Sequence, residues 1–179
     1  MNRFTAFLIP DLICNSIYEI PKKYLNRKKI RAIIFDIDNT LVPYDVEVPD
    51  EKLIAYLRSF EEKGIRVALV SNNSRERVEK FNENLGFFTV PDAHKPKKSA
   101  LLPAIEEFSP IKRKNILFVG DQLLTDVLVA RRNHLRVIAV HPIKRKENLF
   151  FRFKRTLEKP FIREYYQLKK AGRKRVGEP

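Results

Sequence analysis

Phe35-Asp36-Ile37-Asp38-Asn39-Thr40-Leu41-Val42 is the stretch on which the reading of this chain turns. It closes the run Arg31-Ala-Ile-Ile-Phe-Asp36, which has the length and β-branched content of a buried strand. Three similar runs follow: Ile65-Arg-Val-Ala-Leu-Val70, Asn115-Ile-Leu-Phe-Val119 and Leu135-Arg-Val-Ile-Ala-Val140. Helical patterns lie between them. Residues 49–63 have Pro49 at the start, Leu53, Ile54, Leu57 and Phe60 on one face, and Gly64 at the end. Residues 74–85 have Ser74 as N-cap and Gly86 beyond; residues 97–108, with Pro103 shortening or kinking them, and 122–133 complete the set. Strand–helix alternation predicts an α/β, Rossmann-like parallel sheet flanked by helices, with ligands bound beyond the carboxyl ends of the strands.

Those ends carry the chemistry. Two acids spaced i, i+2 past a strand, Asp36 and Asp38, both aim into the crevice once the chain bends. Val70-Ser71-Asn72-Asn73 offers a hydroxyl and amides suited to phosphate oxygens, and His94-Lys95-Pro96 offers a cation. Val119-Gly120-Asp121-Gln122-Leu123-Leu124-Thr125-Asp126 puts two acids after a Gly turn. Phosphate-ester cleavage needs these parts: a carboxylate nucleophile, a second carboxylate to move protons, hard oxygen ligands for Mg²⁺, and donors that offset phosphoryl charge. Asn73 reads equally well as a turn residue. His94 and His141 read as structural, and no His/Cys/acid cluster has transition-metal spacing.

In this order at strand ends, the four clusters resemble the motifs of the haloacid dehalogenase (HAD) superfamily of aspartate-nucleophile phosphatases. The resemblance implies Asp36 as nucleophile and Asp38 as general acid/base, with Thr40 bracing the loop. It implies Ser71, Asn72 and Lys95 as the phosphoryl-binding set. Mg²⁺ would be held by Asp36, the backbone carbonyl of Asp38 and Asp121, with Asp126 as ligand or orienter. Many relatives insert a cap between motifs. Here 32 residues separate Asp38 from Ser71 and 23 separate Ser71 from Lys95. One helix and one strand fill each interval, so no cap domain is expected and the site should be open.

The remaining arithmetic concerns the ends. The chain has 179 residues, 44% hydrophobic and 32% charged, which suits a folded domain and excludes a disordered chain or a membrane bundle. Cys14 is the single cysteine, which excludes an internal disulfide and suits a reducing, cytosolic compartment. Pro10 and Asp11 interrupt the apolar N-terminal patches, against a cleaved signal peptide, and no apolar run reaches the length of a membrane span. The net charge of +14 divides into +4 for residues 1–30, +1 for 31–142 and +9 for 143–179. That division suggests a basic amphipathic N-terminal segment (1–30), a phosphatase core (31–142) and a basic amphipathic C-terminal segment and tail (143–179).

Phe150, Phe153, Leu157, Phe161, Tyr165 and Leu168 form a helical stripe, which Pro160 is expected to divide into two shorter helices. Amphipathic terminal helices of this kind fit an anionic membrane surface, with Phe150, Phe151, Arg152, Phe153 and Arg155 as contact candidates. The stripe fits packing on the domain's own core equally well. Asp-Asn-Thr-Leu-Val, Val-Ser-Asn-Asn, Lys-Pro and Gly-Asp-Gln-Leu-Leu-Thr-Asp-Val together resemble the YqeG family of capless HAD phosphatases, similar to the mitochondrial phosphatidylglycerophosphatase. This resemblance implies dephosphorylation of phosphatidylglycerophosphate to phosphatidylglycerol, a step in cardiolipin biosynthesis, by a cytoplasmic protein peripheral on the inner face of the cell membrane. Two alternatives stay open: a phosphatase acting on nucleic-acid ends or nucleotides through the basic tail, and a non-catalytic module that binds anionic surfaces.

Overall fold

The computed structural model describes residues 7–143 and 149–171; side chains are described outside residues 149–155. Six parallel strands form one sheet: β1 (Leu12–Cys14), β2 (Ala32–Phe35), β3 (Arg66–Val70), β4 (Phe88–Val90), β5 (Ile116–Gly120) and β6 (Arg136–Val140). Their spatial order is β1-β6-β5-β2-β3-β4. The chain runs outward from β2 through β3 to β4, then returns to the other side of β2 with β5. The direction of winding therefore reverses between β2 and β5, and the crevice at that reversal is the natural ligand site of such a sheet.

Both faces are buried, which is why the strands read as continuous apolar runs. Ile33 and Phe35 of β2 enter a core with Leu53, Leu57, Phe60, Val78 and Phe81. These come from α2 (Glu51–Glu61) and α3 (Arg75–Asn82). Ala32 and Ile34 enter the opposite core with Leu101, Ala104, Val129 and Ala130. That face is covered by α4 (Leu102–Glu107), α5 (Leu128–Arg132) and part of α6 (Leu149–Lys170).

Local chemistry sets the helix ends, with some departures from the expected bounds. Asp50, one residue after Pro49, caps α2 by accepting from the Leu53 N–H at 2.7 Å. Ser74 caps α3 as expected, accepting from the Arg77 N–H. The helix expected over 97–108 begins as a 3-10 turn, Lys98–Leu101, and becomes α-helical only where Pro103 falls in the first turn and needs no N–H partner. The one expected over 122–133 opens with a wide π turn, Leu123–Val127, before α5.

At the N-terminus the apolar residues pack on the core. This segment supplies β1, the edge strand beside β6, and α1 (Lys22–Arg27), and it buries Leu8, Ile9, Ile17, Ile20, Tyr24, Leu25 and Ile30. The C-terminal stripe is not divided, since α6 runs through Pro160 as one helix. Glu158 and Tyr165 are buried on either side of that proline, and Phe161 and Ile162 pack against the second core. Docking on one body thus holds both halves in line. Of the stripe, Tyr165 is buried and Phe161 packs on the second core while Leu157 stays exposed, so the stripe does not form a single outward face. The side chains of Phe150, Phe151, Arg152, Phe153 and Arg155 lie outside the described residues. Among the described residues no helix is long and apolar enough to cross a membrane.

Asp11 ties the edge strand to the body. Its carboxylate accepts from the Val137 N–H at 2.6 Å and lies 2.9 Å from the Arg131 guanidinium, which is itself mostly buried. Removing one partner of a buried ion pair leaves the other uncompensated. Asp11→Ala should therefore destabilise the fold by about 3 kcal/mol in denaturant unfolding; an unchanged midpoint would refute this anchoring.

Candidate active site

β2 ends at Phe35, and the next residue, Asp36, still donates its N–H to Val119 O of β5 at 2.9 Å. Its side chain is thereby held at the switch between the two strands. Asn39 adopts the left-handed conformation (φ 64°), which Asn tolerates better than most residues, and donates to Val42 O at 2.7 Å. That reversal returns Thr40 to the strand end, where its hydroxyl donates to Asp36 Oδ2 at 2.7 Å. Lys95, from the loop after β4, places its ammonium 2.5 Å from Asp36 Oδ1 and 2.9 Å from Asp126 Oδ1. It also donates to Val70 O at the end of β3. Four strand ends thus meet at one buried ammonium.

Asp36, Asp121 and Asp126 bring carboxylate oxygens within 4.8 Å of one another. When all are ionised, the three carboxylates and one ammonium leave two uncompensated negative charges on largely buried side chains. Burial foremost, with repulsion from Asp126, pushes Asp36 up to about 7 despite Lys95 and the Thr40 hydroxyl. Burial, then Asp36 and Asp126, hold Asp121 well above the carboxylate range. Burial alone would depress the Lys95 ammonium, but Asp126 and Asp36 together carry it above the ordinary lysine range. Asp121 Oδ1 is buried and accepts no hydrogen bond among the described residues. A hard divalent cation fits this arrangement: the oxygen donors converge, one lacks a partner, and a double positive charge balances the cluster.

Asp126 reaches the cluster because residue 120 is glycine. A Cβ there would sit 2.6 Å from the Asp126 side chain, closer than real contacts allow. Asp126 Oδ2 in turn accepts from the Gln122 N–H at 3.0 Å, closing the turn on itself.

Asp38, two residues past Asp36, is outside this cluster. Its carboxylate faces Arg77 Nη2 at 3.2 Å, Asn73 Nδ2 at 3.2 Å and, more loosely, the Ser71 hydroxyl at 3.5 Å. Arg77 also donates to the carbonyls of Val46 and Glu47, so it clamps the loop after Asp38 as well as its carboxylate. Asn73 is more than a turn residue. Its backbone N–H donates to Ser71 Oγ, its side-chain Oδ1 accepts from the Ser74 N–H, and its Nδ2 donates to Asp38. Asn72 lines the cavity, and its side chain also bonds the Lys95 backbone: it accepts from the Lys95 N–H at 2.6 Å and donates to Lys95 O at 3.0 Å. It holds the lysine loop in place with its carbonyl oxygen and one of the two N–H groups of its amide.

The sequence reading missed Arg77 and understated Asn73. One signal for Arg77 was present. A cation in the first turn of a helix faces the positive end of the helix dipole, so its position needs another partner.

Asp36, Asp38, Asn39, Ser71, Asn72, Asn73, Lys95 and Asp126 line an open cavity of about 210 Å³, with Tyr44, Gln122 and Thr125 completing its wall. That volume takes a phosphoryl group and the beginning of its ester; a larger substrate must extend outward.

Residues 44–134, just over half of the chain, match the family profile of the haloacid dehalogenase-like hydrolases. The chain belongs to this family. It is 36% identical over 156 residues to "Probable phosphatase YqeG" of Bacillus subtilis, covering 87% of this chain and 90% of that protein. It is 24% identical over 154 residues to "Phosphatidylglycerophosphate phosphatase 1, chloroplastic/mitochondrial" of Arabidopsis thaliana, covering 80% of this chain and 44% of that protein. The present chain thus spans less than half the length of the plant relative. Among solved structures, a hypothetical protein from Xanthomonas campestris superimposes with TM-score 0.53 at 25% identity, covering 68% of this chain and 71% of that one. An uncharacterized protein from Listeria monocytogenes gives 0.52 at 17% identity, with coverage of 66% and 85%, and shows the shared fold alone. Family, fold and acidic cluster together make this a HAD-type phosphatase.

Gly120→Ala should displace Asp126 and lower both activity and Mg²⁺ affinity, read from a thermal-shift titration, about tenfold or more; wild-type values would show that the close approach is dispensable. The raised acids also set a pH dependence. An acid whose value is raised on folding binds its proton more tightly in the folded chain, so the metal-free protein loses stability as pH climbs from the carboxylate range through about 7. Mg²⁺ needs the ionised groups, so its stabilising shift in melting temperature should be larger at pH 8 than at pH 5.5. A pH-independent shift would place the ion elsewhere.

Proposed function

We propose that this phosphatase hydrolyses a phosphate monoester at the headgroup of an anionic lipid, phosphatidylglycerophosphate, through an aspartyl-phosphate on Asp36 with Mg²⁺ as cofactor. The observation that carries the chemistry is Asp36 itself. It is buried at the switch point, with one oxygen on Lys95 and the other on Thr40, beside two further carboxylates at the floor of an open cavity.

The residues divide the work as follows. Asp36 attacks phosphorus; the ester P–O bond breaks as the Asp36 O–P bond forms. Asp38, oriented by Arg77 and Asn73, gives its proton to the departing alkoxide. It then takes a proton from the water that attacks phosphorus and releases phosphate, which restores Asp36. Lys95, the Ser71 hydroxyl and Asn72 stabilise the phosphoryl oxygens. Asp36, Asp121 and Asp126 would hold Mg²⁺, which when bound would supply charge neutralisation to that group.

Three features support the lipid. The cavity is open, and among the described residues no cap encloses it. The plant relative carries the phosphatidylglycerophosphatase name. The net charge is +14, with α6 keeping Leu157, Lys159, Arg163 and Tyr166 exposed. Each basic group near an anionic leaflet contributes about 1 kcal/mol, so a few suffice for peripheral attachment, on this reading to the inner face of the cell membrane. Phosphate release from phosphatidylglycerophosphate in mixed micelles with Mg²⁺, beside a phosphorylated oligonucleotide, tests this. Lipid turnover should dominate, and Asp36→Asn should lose about 10³-fold or more of it. Turnover of the oligonucleotide alone would move the basic segments from lipid to nucleic acid.

A further inference from the structure

Glu158 is a carboxylate from α6, in the C-terminal part of the chain, yet it is only 6% exposed and ends at the site. It accepts a hydrogen bond from the Leu124 N–H at 3.1 Å. Leu124 lies in the π turn Leu123–Val127, between the two acids Asp121 and Asp126. The first N–H groups of any helical turn lack intrahelical acceptors. Here two are satisfied by carboxylates: Gln122 by Asp126 from within the turn, Leu124 by Glu158 from outside it. Glu158 is also close enough to Asp121 to add to the repulsion there. Packing alone would be served at lower electrostatic cost by an uncharged side chain of the same size.

We infer that Glu158 is a positioning residue that holds the 122–127 turn, and with it the Asp121 and Asp126 carboxylates, in the geometry that receives the divalent ion. The helix that carries it is anchored independently: Tyr165 Oη accepts from the Ile13 N–H of β1 at 3.1 Å, and Phe161 and Ile162 pack on the second core. The site is therefore completed by a helix that lies outside the βα units bearing the other acids. The inference rests on the three-carboxylate cluster as the ion site and is independent of the lipid.

The test uses the full chain and two readouts, one without metal. In the metal-free protein, Glu158→Ala should speed hydrogen exchange of the Leu124 amide about tenfold or more while amides of β2 and β5 keep their rates. With p-nitrophenyl phosphate as a soluble substrate, the Mg²⁺ concentration for half-maximal activity should rise about tenfold or more. Glu158→Gln, which keeps an acceptor oxygen, should return both readouts close to wild type. Wild-type Leu124 exchange and Mg²⁺ dependence in Glu158→Ala would overturn the inference, as would Gln and Ala variants impaired alike. If the Ala variant does not fold, Glu158→Asp retracts the acceptor by one methylene and should shift both readouts in the same direction; wild-type behaviour there overturns it equally. Failure on lipid with intact p-nitrophenyl phosphate turnover would count against the lipid substrate and leave this inference standing.

Discussion

The Lys95 ammonium, buried between Asp36 and Asp126, is the contact on which the site depends. Burial and mutual repulsion push the carboxyls of Asp36 and Asp121 upward even with this ammonium beside them, and without it the drive to take up protons would be stronger. One lysine cannot balance three acids. It does hold the site in one geometry while leaving the residual negative charge that a divalent cation matches. The lysine is itself held by its backbone, through the paired hydrogen bonds it makes with Asn72, and by Val70 O at the adjoining strand end. Loss of any of these contacts would release a charge into the interior rather than merely a side chain.

This arrangement needs the parallel sheet in its observed order. β2 lies between β3 and β5, so Asp36 has the Ser71–Asn73 loop on one side and the Gly120–Asp126 turn on the other. The two acids nearest in sequence then separate by environment. Asp36 turns inward to Lys95 and the acidic cluster, while Asp38 turns to Arg77 and Asn73 at the wall. Two carboxylates in different surroundings can take different parts in one reaction, one attacking and one carrying protons.

Around this centre the fold uses its terminal segments as structure. The N-terminal segment supplies an edge strand and a buried apolar face, and α6 brings Glu158 to the turn after β5 and Tyr165 to β1. Amphipathicity at both ends is thus partly spent on the protein's own core. The face of α6 that carries Lys159, Arg163 and Tyr166 stays exposed.

The sequence by itself determined the elements whose signals are local. Buried strands of a parallel sheet are continuous apolar runs, helix starts need caps such as Ser74, and the motif acids follow their strands directly. The α/β class, the missing cap and the positions of Asp36, Asp38, Ser71, Lys95, Asp121 and Asp126 were therefore legible in the order of residues alone. β1 was not, because three residues at a sheet edge carry too little periodicity to separate them from an apolar loop. Only the tertiary structure decided that Arg77 clamps Asp38, that Asn72 braces Lys95 with its side chain, that α6 continues through Pro160, and that Glu158 reaches the acidic turn. Each of these is a contact between residues 20 or more positions apart, or depends on one. Such contacts are set by how the layers pack, and sequence spacing carries no record of them.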